Sequence, residues 1–581
     1  MSKPAHIDPI TLEVIKNALA ATADEMALVV MRSAYSAVVR DSMDYSTAIA
    51  DREGEIIAQG LTLAVQLGSF PDCLKLVVQK HRDTARPGDI FAFNDPYGSA
   101  GQHLPDIYVI KPIFADGGLV GWACTMAHHC DVGGIAPGST AMHATEILQE
   151  GLCIPLLKLY EEGRPNETLF AILAKNSRQP RYLLGDIRAQ VAACSAGERG
   201  YGDLVRRHGY DDLARYFHAM QDQAESLMRS IIRTIPEGVY SATDYIDGIG
   251  DDPRPVAITA TIEVGNEQVR IDLAGSSPQV AAAINCPIAM VRSAAYCAIR
   301  CLSDIDIPNC QGYMRPIVIE APPGSIVNPL YPAACAARGV VGYRVFDAIM
   351  GAFAKAAPGR VIAGGEGGPT LLSIGGSHRG QPFVLTEVMV GTWGARAELD
   401  GIEGISNPAA NLSNQPIEII ETETPLEIVR YGFVPDSGGP GKQRGGLAFV
   451  REFRLRDGTA QFTLRSDRRK HRPYGVAGGR PGAPSANLVI RADGSREELP
   501  TMPMKVIELG AGDSFHHVSA GGGGYGDPAH RNRDAIMSDV IAGKVSVEAA
   551  KRDYGVEIEP PGRPLAGDTP LRREPHMEGI G

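Results

Sequence analysis

The chain has 581 residues, 44% of them hydrophobic, which is enough for a large buried core and more than one domain. Its formal charge of −12 excludes nucleic acid and anionic membrane as main partners. No apolar run reaches the roughly 18 residues of a membrane span, and Met1 to Asp8 lacks the apolar core of a signal peptide, so a cytoplasmic protein is expected.

Asp8-Pro9 is a helix start signal, and apolar residues at helical spacing from Ile10 to Val38 predict one long helix ending near Arg40-Asp41-Ser42. Tyr45 to Ala50 reads as a strand, with Asp51 to Gly54 as a tight turn into Glu55 to Ala58. Asp41 and Asp44 fall at this helix-to-strand junction, where a carboxylate can project into a cleft. Ile90 to Phe93 reads as a short strand, followed by the turn-rich loop Asn94 to Gly101. Ile107 to Phe114 and Leu119 to Ala127 predict a hairpin through Asp116-Gly117-Gly118. Residues 145–160 and 165–232 read as largely helical.

The character changes near Pro236. Ile258, Ala260, Ile262 and Val264, then Val269, Ile271 and Leu273, alternate across Gly265-Asn266 and predict an antiparallel pair. Residues 291–303 and 342–356 read as helices able to cover it. From about 430 the chain is β-rich, with Phe453 and Leu455 joined to Phe462 and Leu464 through Asp457-Gly458. A glycine-laden stretch, Ser519 to Pro528, leads to a final helix with apolar spacing at Ile536, Val540 and Ile541. The expected fold is α+β, mixed and multi-domain, with antiparallel sheets and a metal site in the N-terminal half. The expected divisions are 1–235, 236–429, 430–530, a C-terminal helix over 531–558, and a loose tail over 559–581.

His103-x-x-Asp106, followed by His128-His129-Cys130-Asp131 at the end of the next strand-like run, is the pattern that carries chemistry. Imidazoles and carboxylates converging at strand ends can hold a divalent cation with a coordination position left open. The candidate ligands are Asp41, His103, Asp106 and His128. Zn²⁺, Mn²⁺ and Fe²⁺ all accept these donors, so residue types alone do not name the metal. Such an ion would activate water or polarise a carbonyl. His129, Cys130 and Asp131 are candidates for orienting the ligands. Adjacent strand residues point to opposite faces, so at most one of His128 and His129 faces the site; the same loop residues can equally cap turns.

Other motifs carry less. Gly438-Gly439-Pro440-Gly441-Lys442-Gln443 fails the phosphate-loop pattern, because Asp436 replaces the first glycine and Gln443 the final Ser or Thr. Gly521 to Gly526 lacks a strand-to-helix context, so no ATP site is expected in this chain. The ten cysteines form no C-x-x-C pair and read as reduced thiols. His516-His517 reads as structural. The basic run Arg465 to Arg472 reads as a solvated face or turn, with a subunit or phosphate contact as the alternative.

Taken together, these blocks resemble the hydantoinase B/oxoprolinase family, nearly end to end. The resemblance rests on Asp8-Pro9-Ile10-Thr11-Leu12-Glu13-Val14, Arg40 to Ala48, Asn94-Asp95-Pro96-Tyr97, His103-Leu104-Pro105-Asp106 and His128 to Gly134. It continues through Gln149-Glu150-Gly151-Leu152, Gly185 to Gln190, Asp436 to Gly441 and Gly521 to Pro528. It implies a metal at the positions proposed above. Asp41 stands where relatives often carry Glu, and Gln66 where many carry His, so an acid–base role at position 66 does not transfer. The resemblance also implies a separate A subunit with an actin-like ATPase fold, in an A2B2 assembly, that binds ATP and phosphorylates the substrate's carbonyl oxygen.

Three readings follow. In the first, the chain is the hydrolytic half of an ATP-dependent cyclic amidase opening a hydantoin, lactam or oxoproline-like ring, with Glu146, Asp131 or His129 assisting at the site. The second is a ketone carboxylase subunit. The third is a scaffold that only positions the A subunit. The chain's length favours the first by analogy.

Overall fold

The computed structural model describes residues 7–559, so the expected tail beyond 559 lies outside the described residues. Among the described residues, twenty strands form four sheets. The first holds β1 (Tyr45–Asp51), β2 (Ile56–Gln59), β3 (Ile90–Phe93), β4 (Asp106–Ala115), β5 (Gly118–His128), β6 (Leu157–Glu161) and β7 (Arg164–Pro165), in the order β2-β1-β5-β4-β3-β6-β7. All its pairings are antiparallel. Helices on both faces explain why β1 and β3 are buried along their whole length. Helices Pro9–Ser33 and Pro180–His208 cover one face, and helix Phe70–His81 covers the other.

The second sheet, β8 (Gly238–Ile246), β9 (Val256–Gly265), β10 (Gln268–Asp272) and β11 (Ile317–Glu320), contains the expected antiparallel pair. Helix Gly339–Ala356 packs on it, and the largest apolar core runs from this sheet into the first. The remaining strands are β12 (Thr370–His378), β13 (Gln381–Met389), β14 (Leu426–Phe433), β15 (Phe449–Leu455), β16 (Thr459–Arg465), β17 (Ala486–Ile490), β18 (Arg496–Glu498), β19 (Ile507–Gly510) and β20 (Ser514–Val518). They form the sheets β13-β12-β16-β19 and β14-β15-β20-β17-β18. Among the described residues, no helix is long and apolar enough to cross a membrane.

Apart from the C-terminal helix expected over 531–558, which is two helices, Arg533–Ile541 and Val547–Tyr554, the structure departs from the sequence reading in four places. The first helix stops at Ser33 and a short helix follows at Ala37–Arg40. Asp186 causes the break: its carboxylate takes the N–H groups of Tyr35 and Ser36 at 2.6 and 3.1 Å and the Ser36 hydroxyl at 2.5 Å. Residues 145–160 are not helical; they hold a single 3₁₀ turn and β6, which the open edge of β3 recruits. β15 and β16 do not pair with each other. The chain crosses between sheets there, and the Phe462 and Phe515 rings meet 4.9 Å apart. Because β12 pairs with β16, the third sheet draws on both sides of position 430.

The basic run is the fourth departure: its anchoring side chains are buried. Arg468 holds Asp244 at 2.8 Å and Asp347 at 2.7 Å, while Arg344 pairs with Asp347 and Asp467. The Asp247 carboxylate takes the N–H groups of Arg469, Lys470 and His471. A lone buried guanidinium would carry a large desolvation cost, and these shared carboxylates offset it. The run therefore ties the end of β8 to the end of β16.

The glycine-rich stretches serve close backbone packing. A Cβ on Gly522 would sit 2.2 Å from the Trp393 carbonyl oxygen, and one on Gly523 would sit 2.0 Å from that of Tyr474. Only glycine allows Gly523 N–H to reach Gly364 O at 2.8 Å. Asp347→Ala leaves two buried guanidiniums short of a partner; we expect it to cost about 3–5 kcal/mol, read as a lower urea midpoint. An unchanged midpoint would refute the staple.

Candidate metal centre

Pairing places Asp106, the first residue of β4, directly opposite His128, the last of β5. Directly opposed residues on an antiparallel pair project to one face. His103 lies in the loop before β4, held by a turn in which Asp106 N–H donates to His103 O at 3.0 Å. Asn94 braces that loop, donating to Leu104 O at 2.7 Å and accepting from Ile154 N–H at 2.6 Å. One ligand atom from each of His103, Asp106 and His128 lies within 4.8 Å of the others, and all three residues are buried.

The polarity of this cluster is specific. His103 Nδ1 lies 2.9 Å from the Ala336 carbonyl oxygen. A carbonyl can only accept, so Nδ1 carries the proton. Burial, then the charge of Arg338, pushes the His103 pKa down to about 4, so the ring is neutral near pH 7. Its Nε2 then presents a lone pair to Asp106 Oδ1 at 3.1 Å. Burial alone would raise the Asp106 pKa, but Arg338 and His103 overcome it and hold the carboxyl well below the usual range. Two lone pairs thus face each other out of contact with water, and neither atom has another partner. Both ring nitrogens of His128 are also unpartnered, and burial and His103 lower its pKa to about 3. Such buried acceptors without a donor fit a cation, and a ligating imidazole that donates its other N–H to a backbone carbonyl is the usual supporting arrangement.

Neighbouring groups hold these side chains. Arg338 reaches the second oxygen of Asp106 and Gln102 Oε1. Glu150 accepts the N–H groups of Cys335 and Ala336, both at 2.7 Å, and so fixes the segment that carries Ala336 O and Arg338. Asp44 is buried beside the cluster; His128 N–H donates to its backbone oxygen at 2.9 Å, and Gln66 Nε2 to its carboxylate at 2.7 Å. Burial, then the charge of Asp106, raises the Asp44 pKa to about 7.

The other expected site residues lie elsewhere. Asp41 is outside the cluster: it caps the short helix and its carboxylate pairs with Arg40 at 2.7 Å. His129 projects away, toward Gln190 Oε1 at 3.1 Å on helix Pro180–His208. The Asp131 carboxylate is taken up by the N–H groups of Gly133, Gly138 and Arg178 and by the Arg178 guanidinium, which pins the loop after β5. Glu146 is exposed at the start of a 3₁₀ turn, whereas Glu150, four residues on, is buried. The sequence reading missed Arg338 and Gln102, which no local motif announces, and the placing of Glu150 and Gln66.

The family model described as Hydantoinase B/oxoprolinase matches residues 8–528. A protein of Pseudomonas sp. (strain NS671), provisionally named as the B component of a D-/L-hydantoinase, is 34% identical over 95% of each chain. The crystal structure of ATP-dependent caprolactamase from Pseudomonas jessenii superposes with a TM-score of 0.88 at 30% identity, covering 96% of this chain and 98% of that one. A nucleotide-free acetone carboxylase structure also reaches 0.88, at 19% identity, covering 95% of this chain and 80% of that one; that likeness concerns the fold.

The geometry separates two aspartates three residues apart. Asp44→Asn is expected to weaken Mn²⁺ or Zn²⁺ binding about 10–100-fold in calorimetric titration. Asp41→Asn should bind as the wild type does, and the reverse ranking would put Asp41 back among the ligands.

Proposed function

Because this chain belongs to the hydantoinase B/oxoprolinase family, we propose that it is the metal-dependent, ring-opening subunit of an ATP-dependent cyclic amidase. Its substrate class is the lactams, hydantoins and oxoproline-like rings, and its partner is an ATPase subunit that activates the ring carbonyl. The observation that carries the reading is the buried His103–Asp106–His128 cluster, with its facing, unpartnered acceptor atoms.

The chemical logic starts from the amide. Nitrogen donates into the carbonyl, so the carbon is a poor electrophile. Transfer of a phosphoryl group to the oxygen, on the partner subunit, withdraws that donation and makes the carbon open to water. The absence of a phosphate-loop pattern in this chain accords with that division of labour. His103, Asp106 and His128 would hold the metal, with Asp44 as a further oxygen donor. A divalent ion in such a set supplies Lewis acidity toward water or a carbonyl oxygen. Arg338 keeps Asp106 ionised and oriented, Ala336 fixes the His103 tautomer, and Glu150 positions both through the 335–338 segment. Depth excludes bulk water, so activated substrate would meet an ordered water and not random hydrolysis. Identity of 34% to a hydantoinase-type relative over nearly full length supports the amidase reading above the carboxylase reading, for which the support is fold alone.

The test is His103→Ala in the complex with the partner subunit. We expect loss of bound metal by elemental analysis and a fall in ATP-dependent ring opening of at least about a hundredfold. Full turnover without metal would sink the proposal, as would a strict need for bicarbonate.

A further inference from the structure

Arg465 is buried, at 6% exposure, yet it forms no ion pair with any described residue. Its one hydrogen bond is from Nη2 to the Pro369 carbonyl oxygen, at 2.8 Å. A guanidinium has five N–H donors, so most of its capacity is open. The guanidinium lies against the start of helix Gly339–Ala356: a Cβ on Gly339 would meet Arg465 Nη1 at 2.7 Å. That is the positive end of an 18-residue helix, whose N-cap residue is Arg338.

Tyr343 lies one turn further along the same helix face. It is 5% exposed and its hydroxyl bonds to no described residue. The ring is clamped by backbone, since a Cβ on Gly368 would sit 2.3 Å from it. Burial lowers the Arg465 pKa to about 10, with Tyr343, Arg338, Asp44 and Glu366 as the neighbours whose charges it feels. Arg465 and Tyr343 thus border the metal cluster on the side of Asp44 and Arg338. Asp44 and Glu366 act on this buried cation only from beyond ion-pair distance, so beside a rigid hydroxyl and a helix start it can still take an anion as a direct partner.

We propose that Arg465, Tyr343 and the start of helix Gly339–Ala356 form the pocket for the phosphoryl group of the activated substrate. The inference rests on the amidase reading and deepens it. Guanidinium forks match the oxygens of a phosphoryl group and hold them more strongly than neutral donors do. Held there, the phosphoryl oxygen points the substrate's reacting carbon toward His103, Asp106 and His128, and the Tyr343 hydroxyl donates to a second oxygen.

The probes are phenyl phosphate, which carries phosphorus on a planar C–O group, inorganic phosphate, and acetate. Each is titrated calorimetrically into the full chain, with metal content and melting measured in parallel. Phenyl phosphate should bind at least as tightly as inorganic phosphate, and acetate far more weakly. Arg465→Gln should weaken phenyl phosphate about tenfold or more with metal content unchanged, and Arg465→Lys should restore part of it. Should Arg465→Gln fail to fold, Tyr343→Phe removes one oxygen only and should weaken the same probe several-fold. Unchanged phenyl phosphate affinity in either folded variant overturns the assignment, and so does acetate binding as tightly as the phosphoryl probes. Those outcomes leave the His103→Ala result untouched, so the pocket and the amidase reading can fail separately.

Discussion

Everything around the cluster depends on one buried carboxylate, Glu150. Its Oε1 accepts two backbone N–H groups, from Cys335 and Ala336, and so docks the 335–338 segment onto the connection between β5 and β6. That segment then delivers the Ala336 carbonyl to His103 and the Arg338 guanidinium to Asp106. Burial raises the Glu150 pKa to about 8 even with the two N–H bonds opposing it. The cluster is therefore shared: its three residues come from the hairpin of the first sheet and the loop before it, and its orientation from the segment leading into the helix that covers the second.

Rigidity around this seam comes from two unlike devices. One is the Arg344, Arg468, Asp244, Asp347 and Asp467 network, which fastens β8 and β16 at their ends. The other is the glycine weave, in which Gly521 to Gly524 thread between other main chains and leave no room for side chains. Both touch the loop Gly364 to Gly368: Gly523 N–H reaches Gly364 O at 2.8 Å, and a Cβ on Gly367 would meet the Arg344 and Arg468 guanidiniums.

Some of the site is legible in the sequence and some is not, and particular residues show why. His103, Asp106 and His128 can be found because spacing and a predicted hairpin suffice to bring them together: register is local. The fate of His129 follows from strand alternation. Asp41 and Asp44 cannot be ranked, because both sit at one junction and only packing shows that Asp41 pairs with Arg40 while Asp44 is buried. Glu146 and Glu150 differ in burial, which depends on what the 335–338 segment covers. The basic run reads as solvated because charge normally is; its aspartate partners lie more than 100 positions away.

Local chemistry in the sequence by itself determined most elements and the hairpin that aligns Asp106 with His128. Those features follow from short-range spacing, turn chemistry and side-chain periodicity, which operate within a few residues. Tertiary structure alone decided that Asp44 and not Asp41 is buried beside the cluster, the tautomer of His103, the two sheets that separate β15 from β16, and the surroundings of Arg465. Each of these depends on desolvation and on contacts between segments distant in the chain, and neither quantity exists until the chain has packed.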